Sequence, residues 1–162
     1  MGDEEINSLK KLLNIKRDGN YYLSSDIDCT KELPIERIIG DFRGTIDGRG
    51  HRIKGLMLSP EIISDGQPVA LIHTAKNAVL RNLIIENLIF KIDDNGYEPK
   101  VSVLFGIFEK GIIEDVKIEM KDPGVDIPLI GESDQSTYTK VIFNNHHKNT
   151  LFKYSNKDKV ED

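Results

Sequence analysis

At 162 residues, 38% hydrophobic and 30% charged, the chain is long enough for one domain with a core and too apolar to be disordered. A net charge of -5 disfavours non-specific attachment to nucleic-acid phosphates or to anionic membranes. Cys29 is the only cysteine, which excludes a disulfide framework, and no run of 18 apolar residues supplies a membrane span.

The opening stretch, MGDEEINSLKKLL, lacks the long apolar run of a signal peptide. The expected location is therefore cytoplasmic, or the cell surface if the chain is a fragment of a larger secreted protein. Ile6, Leu9, Leu12 and Leu13 share one stripe of a short amphipathic helix, and RDGN at 17–20 ends it. Residues 1–18 are thus expected to form a helical cap. GNYYLSSDID (19–28) then opens a region of strands. In FRGTIDGRGHRIKGLML (42–58) two glycines bracket an arginine inside an apolar alternation. Gly48 and Gly50 predict a tight corner, with Asp47 capping the turn and Arg49 exposed.

The middle of the chain repeats. ALIHTAKNAVLRNLII (70–85) and VLFGIFEKGIIEDVKI (103–118) align without a gap at an offset of 33, setting Leu80 on Ile113, Leu83 on Val116 and Ile85 on Ile118. A third copy follows at an offset of 27, where Ile53, Gly55, Leu56 and Leu58 match Leu80, Asn82, Leu83 and Ile85. The runs are short, rich in Ile, Leu and Val, and locally alternating, which is a strand signature. Gly, Asn and Asp recur between them, where the chain turns. Strands repeating in this way predict the coils of a parallel β-solenoid. Its inward positions are Ile46, Ile53, Leu56, Leu58, Ile72, Leu80, Leu83, Ile85, Phe105, Ile113, Val116 and Ile118.

These segments resemble the GLUG-motif right-handed β-helix family over residues 19 to 120. The family pattern runs Tyr-x-Leu-x-x-Asp-Ile, then Phe-x-Gly-x-Ile-Asp-Gly-x-Gly-His, then Gly-Leu-Phe-Gly before an Ile-x-Asn-Leu strand. This chain has ALIH where the family shows Gly-Leu-Phe-Gly. The resemblance implies a pectate-lyase-like solenoid and a non-catalytic role, since members are mostly non-catalytic pieces of surface and phage-associated proteins.

Beyond the repeats, DPGVDIPLIGES (122–133) is irregular. STYTKVIF (136–143) and TLFKYSN (150–156) flank NNHHKN and predict an antiparallel hairpin. The expected architecture is all-β and a single domain over 1–162. It comprises a short right-handed parallel β-helix of three to four coils at 19–134, the N-terminal helical cap, and a hairpin-like C-terminal cap with its tail at 135–162.

Some β-helices cleave polysaccharides, and hydrolysis needs two carboxyls about 5 to 10 Å apart in a groove. Asp26 and Asp28 share one side of a strand and Asp47 lies within a coil of them, but no aromatic sugar platform accompanies them, the chain having no Trp. A lyase would add a calcium-binding Asp cluster to a catalytic Arg or Lys, and no acidic column faces Arg43, Arg49 and Arg52. The repeat alignment sets Asp47, His73 and Gly106 at equivalent corners, making Asp47 and His73 a candidate pair; with no nucleophile beside them the pair is structural. His146 and His147 are two adjacent side chains and do not make a metal site. No Gly-rich loop leads into a helix, so no nucleotide cofactor is expected.

The outward positions carry the functional expectation. Lys54, Arg81 and Glu114 should form one column, and Met57, Ile84 and Lys117 another whose Met57–Ile84 pair is either covered by a terminal segment or an apolar patch. Tyr138, Phe143, Phe152 and Tyr154 add aromatic weight near the C-terminus. The expected role is a non-catalytic protein-binding module, a small intracellular inhibitor or modulator of the kind phages and plasmids encode, with a basic protein as the natural complement of its acidic surface. Direct contact with nucleic acid or membrane is not expected, and end-to-end or edge pairing of two copies is open. The alternatives are an adhesive module of a bacterial cell-surface protein and a polysaccharide-binding or -degrading β-helix.

Overall fold

The computed structural model describes residues 2–59, 69–91, 101–124, 126–146 and 150–162. In chain order the elements begin with β1 (Glu4–Ile6), α1 (Leu9–Leu12), β2 (Asn20–Leu23), β3 (Ile27–Asp28), β4 (Ile39–Phe42), β5 (Thr45–Asp47), β6 (Arg52–Lys54) and β7 (Met57–Leu58). They continue with β8 (Ile72–Lys76), β9 (Val79–Phe90), β10 (Phe105–Glu109), β11 (Ile112–Met120), β12 (Ile130–Asp134), β13 (Thr137–Asn144), β14 (Phe152–Asn156) and β15 (Lys159–Glu161). The chain is predominantly β and all its strand pairings are parallel among the described residues. The larger sheet runs β1-β2-β5-β9-β11-β13-β15, with β3, β6 and β7 joined beside it; the smaller runs β4-β8-β10-β12-β14. No described helix is long and apolar enough to cross a membrane.

Registry explains why these strands form. Tyr21, Ile46, Leu80, Ile113, Tyr138 and Val160 occupy successive levels of one column, and Ile27, Ile53, Ile85, Ile118 and Phe143 those of another. In the smaller sheet the matching column is Ile39, Ile72, Phe105, Ile130 and Phe152. Burying like apolar side chains on one another at about 4.8 Å per level removes continuous rows from water, while the ladder satisfies the backbone. All twelve residues expected to point inward are buried. Phe105 and Phe108 both turn in and stack with centroids 4.4 Å apart.

Corners recur at fixed levels. Asn77, Lys110, Gln135 and Lys157 each follow the last paired residue of a smaller-sheet strand, and each has φ between 51° and 56°. Asn82, Asp115 and Lys140 repeat the left-handed conformation midway along β9, β11 and β13. Asn and Asp tolerate it because their short side chains bond locally.

The 33-residue offset is the register of β9 on β11 and of β8 on β10. The 27-residue offset is not observed: Ile53 lies beside Ile85, not Leu80, and Ile46 takes the place beside Leu80. The cause is the corner at 48–51. Four residues separate Asp47 from Arg52, whereas two separate their partners Arg81 and Ile84, so the offset changes from 34 to 32 across it. Sequence similarity had aligned the second half of this level with the first half of the next.

The C-terminal hairpin is also corrected. β13 pairs in parallel with β11 and β15, and β14 in parallel with β12. An offset of 25 sets Tyr138 on Ile113 and Phe143 on Ile118, which extends both apolar columns; an isolated two-stranded hairpin would leave them without that support. The stack is accordingly deeper than three to four levels, with seven strands along the larger sheet. At the other end the helix shrinks to Leu9–Leu12, capped by Ser8, whose Oγ accepts from Lys11 N at 3.2 Å. Ile6 instead belongs to β1, paired with Leu23. Leu9 and Leu12 are buried over this end, and Leu13 is exposed.

Candidate functional site

The corner at 47–52 is bonded throughout. Asp47 Oδ1 accepts from Arg49 N at 2.9 Å and from Asn82 Nδ2 at 3.2 Å, and its carboxylate lies 3.7 Å from Arg81 Nε. Gly48 N and Gly50 N donate to the Arg81 and Asn82 carbonyls, both at 2.8 Å. A Cβ on Gly48 would collide with Asn82 O and Leu83, and Gly50 has φ +80°. The first glycine serves close approach and the second left-handed backbone. Arg49, exposed, lies 3.7 Å from the centroid of the Tyr22 ring.

Asp26 Oδ1 accepts from Arg52 N at 3.0 Å and faces His51 Nδ1 at 3.2 Å. The Arg52 amide, then His51, holds its carboxyl below the usual range. Asp28 Oδ1 binds Thr30 through Oγ1 at 2.6 Å and N at 2.9 Å, which lowers its pKa likewise. All three acids considered for hydrolysis thus stabilise turns. Asp47 and His73 do not meet. His73 follows Ile72 in β8, which pairs with Ile39, while Asp47 pairs with Arg81 in the other sheet. His147 lies outside the described residues, and no cluster able to hold a metal occurs among those described. Cys29 is buried and its thiol pushed up to about 11 by that burial, helped by Glu32 and Asp28.

The outward columns differ from expectation because of the shifted register. Arg81 and Glu114 are neighbours as expected, but Asp47, not Lys54, precedes them. Lys54 sits between Asp28 and Glu86. Met57 pairs with Ile89, so the Met57–Ile84 pair does not exist; Ile84 is flanked by Arg52 and Lys117, and is half-buried. Tyr138 and Phe143 are core residues, Phe152 is half-buried, and of the four aromatics only Tyr154 is exposed, at 61%.

Tyr154 instead belongs to a groove of about 650 Å³ on the outer face of β10, β12 and β14. Paired positions build it level by level: Ile107, Glu132 and Tyr154 in one row, Glu109, Asp134 and Asn156 in the next. Gly106 and Gly131 leave bare backbone along it, and a Cβ on Gly131 would meet the Gly106 carbonyl oxygen. Three carboxylates and one lysine, Lys153, line it. Asp134 is oriented by Asn156 Nδ2 at 2.9 Å and Gln135 Nε2 at 3.1 Å. Below the last level, Asp158 accepts from Ser133 Oγ at 2.7 Å, Ser136 N at 2.9 Å, Ser155 Oγ at 2.6 Å and Asn156 N at 3.1 Å. Ser133 also meets the buried Tyr138 hydroxyl at 2.6 Å, and its bond and that of Ser136 to Asp158 tie the corner between β14 and β15 to the corner between β12 and β13.

Sequence reading missed Glu109, Glu132 and Asp134. The signal was there: the 25-residue offset that continues the Ile113 column also carries Phe108 onto Ser133, and so Glu109 onto Asp134. Comparison with family models, curated proteins and solved structures returns no match to this chain.

Proposed function

We propose that the two parallel sheets are faces of a right-handed β-helix and that the protein is a non-catalytic binding module whose groove over β10, β12 and β14 receives an arginine-bearing segment of a partner protein, thereby inhibiting or modulating it. The observation that carries this reading is the groove itself: Glu109, Glu132 and Asp134 beside an exposed Tyr154. A guanidinium is the group that such a surface suits, because it stacks on an aromatic face and forks onto a carboxylate. Negative charge in a concavity also speeds encounter with a basic partner. The ladder holds the side chains in place beforehand, so little conformational entropy is lost on contact. The acids Asp26, Asp28 and Asp47 stay with their turns and take no catalytic part.

The test is fluorescence anisotropy with a labelled arginine-rich nonapeptide and its glutamate counterpart, followed by capture from the native host. The arginine peptide should bind, weaken with salt, and weaken about tenfold with Glu132→Lys plus Asp134→Lys or with Tyr154→Ala, at unchanged circular dichroism. The protein captured should be lost on the same substitutions. Equal binding of both peptides, binding indifferent to these changes, or retention of glycans only overturns the proposal.

A further inference from the structure

The groove over β10, β12 and β14 changes character along its length. Its floor is backbone: a Cβ on Gly131 would lie 2.5 Å from Gly106 O, so no side chain fits there. One wall is Val101 and Ser102, just before β10. Ser102 N donates to Val69 O at 2.9 Å and Ser102 Oγ to Phe105 O at 2.8 Å, which fixes this wall on the N-terminal side of Gly106. The other wall is the column Ile107, Glu132 and Tyr154, one residue from each of three levels. At the β10 level the trough is therefore apolar, with Val101 and Ile107 both half-buried. At the β12 and β14 levels it is acidic and aromatic. Lys153 Nζ lies 5.8 Å from the Tyr154 ring centroid, so the face of that ring is within reach of a cation.

The distance between these two regions selects a ligand. Ile107 and Tyr154 are two levels apart, about 9.6 Å. The trough is about 7 Å wide, the two residues from Phe105 to Ile107 along β10, whereas a helix with its side chains is about 10–12 Å across and would rest on the rims. An extended segment reaches the floor. In it, residues i and i+2 face the same way about 6.7 Å apart, and residue i+1 faces out. The methylene stem of an arginine leaning toward Tyr154 spans the remaining 3 Å or so. Its guanidinium then stacks on the ring and forks onto Glu132 on the adjoining level. The side chain two positions away arrives at Val101 and Ile107, which an aliphatic group suits.

We propose that the partner segment carries an aliphatic residue two positions from its arginine and lies extended across the levels, the aliphatic side chain between Val101 and Ile107 and the guanidinium between Glu132 and Tyr154. This rests on the reading of the groove as an arginine site and adds a second anchor and a spacing. Gly106 and Gly131 admit the backbone of the segment between the two anchors, and Lys153 gives up the ring face to the incoming guanidinium.

Fluorescence anisotropy of labelled serine-rich nonapeptides on the full chain tests it. Each carries one arginine, alone or with a leucine one, two or four positions away. Leucine at two positions should tighten binding about tenfold over the leucine-free peptide, and leucine at one or four should change it by less than about twofold. Ile107→Ser should bring the tenfold ratio to about one, and Val101→Ser should lower it, both at unchanged circular dichroism. Glutamine in place of arginine should weaken the best peptide about tenfold. Arginine peptides that bind and weaken with Glu132→Lys, yet gain nothing from leucine at two positions or gain most at one or four, overturn this inference and leave the arginine reading standing. So does a leucine gain indifferent to both Ile107→Ser and Val101→Ser. Leucine peptides that bind equally well with glutamine for arginine overturn the arginine reading itself, and the paired motif with it.

Discussion

Replacing Gly48 by alanine tests whether the corner is steric or chemical. The new Cβ would lie 2.8 Å from Leu83 Cα and 2.9 Å from Leu83 Cβ, and closer still to Asn82 O. Two of these are backbone atoms of the next strand and have no rotamer to escape into. Ordinary contact begins at 3.4 Å, so the corner must retreat by about 0.6 Å or more from β9. That movement stretches the 2.8 Å bonds from Gly48 N and Gly50 N toward the limit of hydrogen bonding. Two backbone bonds at about 1 kcal/mol each, weakened rather than lost, add to overpacking of about 1–3 kcal/mol. A total near 3 kcal/mol corresponds to a Tm lower by about 6–12 °C.

Two controls separate space from conformation. Gly50→Ala meets nothing within 4 Å but holds φ +80°, so it should cost about 1–2 kcal/mol. Gly40→Ala, with its nearest atom at 4.0 Å and no positive φ, should stay within about 0.5 kcal/mol of wild type. Thermal unfolding followed by circular dichroism should rank the losses Gly48, Gly50, Gly40. A Gly48→Ala protein melting within about 1 °C of wild type, or a Gly50→Ala protein melting lowest, refutes the close-approach argument.

Asp158→Ala removes the acceptor of four hydrogen bonds and should destabilise by about 2–3 kcal/mol, discounted for its partial exposure. Deuterium exchange should rise first in 150–162; uniform exchange along the chain would count against the clamp. Burial, then Arg37, lowers the pKa of His73, so the unfolded chain binds a proton the folded one refuses. Stability should therefore fall as pH drops through about 6.5, and urea titrations at pH 7.5 and 5.5 should show a smaller fall for His73→Gln; identical falls would remove His73 from the account. With its thiol pushed up to about 11, Cys29 should react with iodoacetamide at pH 8 about a hundredfold more slowly than free cysteine, and at the ordinary rate in urea. Rapid labelling of the folded protein would mean that the site opens readily.

What was legible in the sequence follows from what the core demands. Leu80, Leu83 and Ile85 recur as Ile113, Val116 and Ile118 because a parallel stack needs like-sized apolar residues at each level, and that constraint leaves a mark. The corner glycines were legible for the same reason: few residues other than glycine tolerate the contact at 48 or the backbone at 50. The C-terminal strands were misjudged because local spacing, two aromatic-rich runs around a polar loop, is shared by hairpins and by successive levels of a parallel stack. Only the long-range offset of 25 residues distinguishes them, and it differs from the 33 that preceded it.

The surface was harder to read because it inherits errors of register without showing them. Burial of Ile53 is satisfied whether it lies beside Leu80 or Ile85, since both are apolar. Its outward neighbours have no such tolerance: the same shift moves Lys54 from Arg81, a like charge, to Glu86, an opposite one, and dissolves the Met57–Ile84 pair. The alternation Asp28–Lys54–Glu86 and the run Asp47–Arg81–Glu114 are therefore independent indicators of register, since like charges placed side by side would oppose it. At the corner after β5, charge complementarity between levels identifies the true alignment where hydrophobicity leaves two in balance.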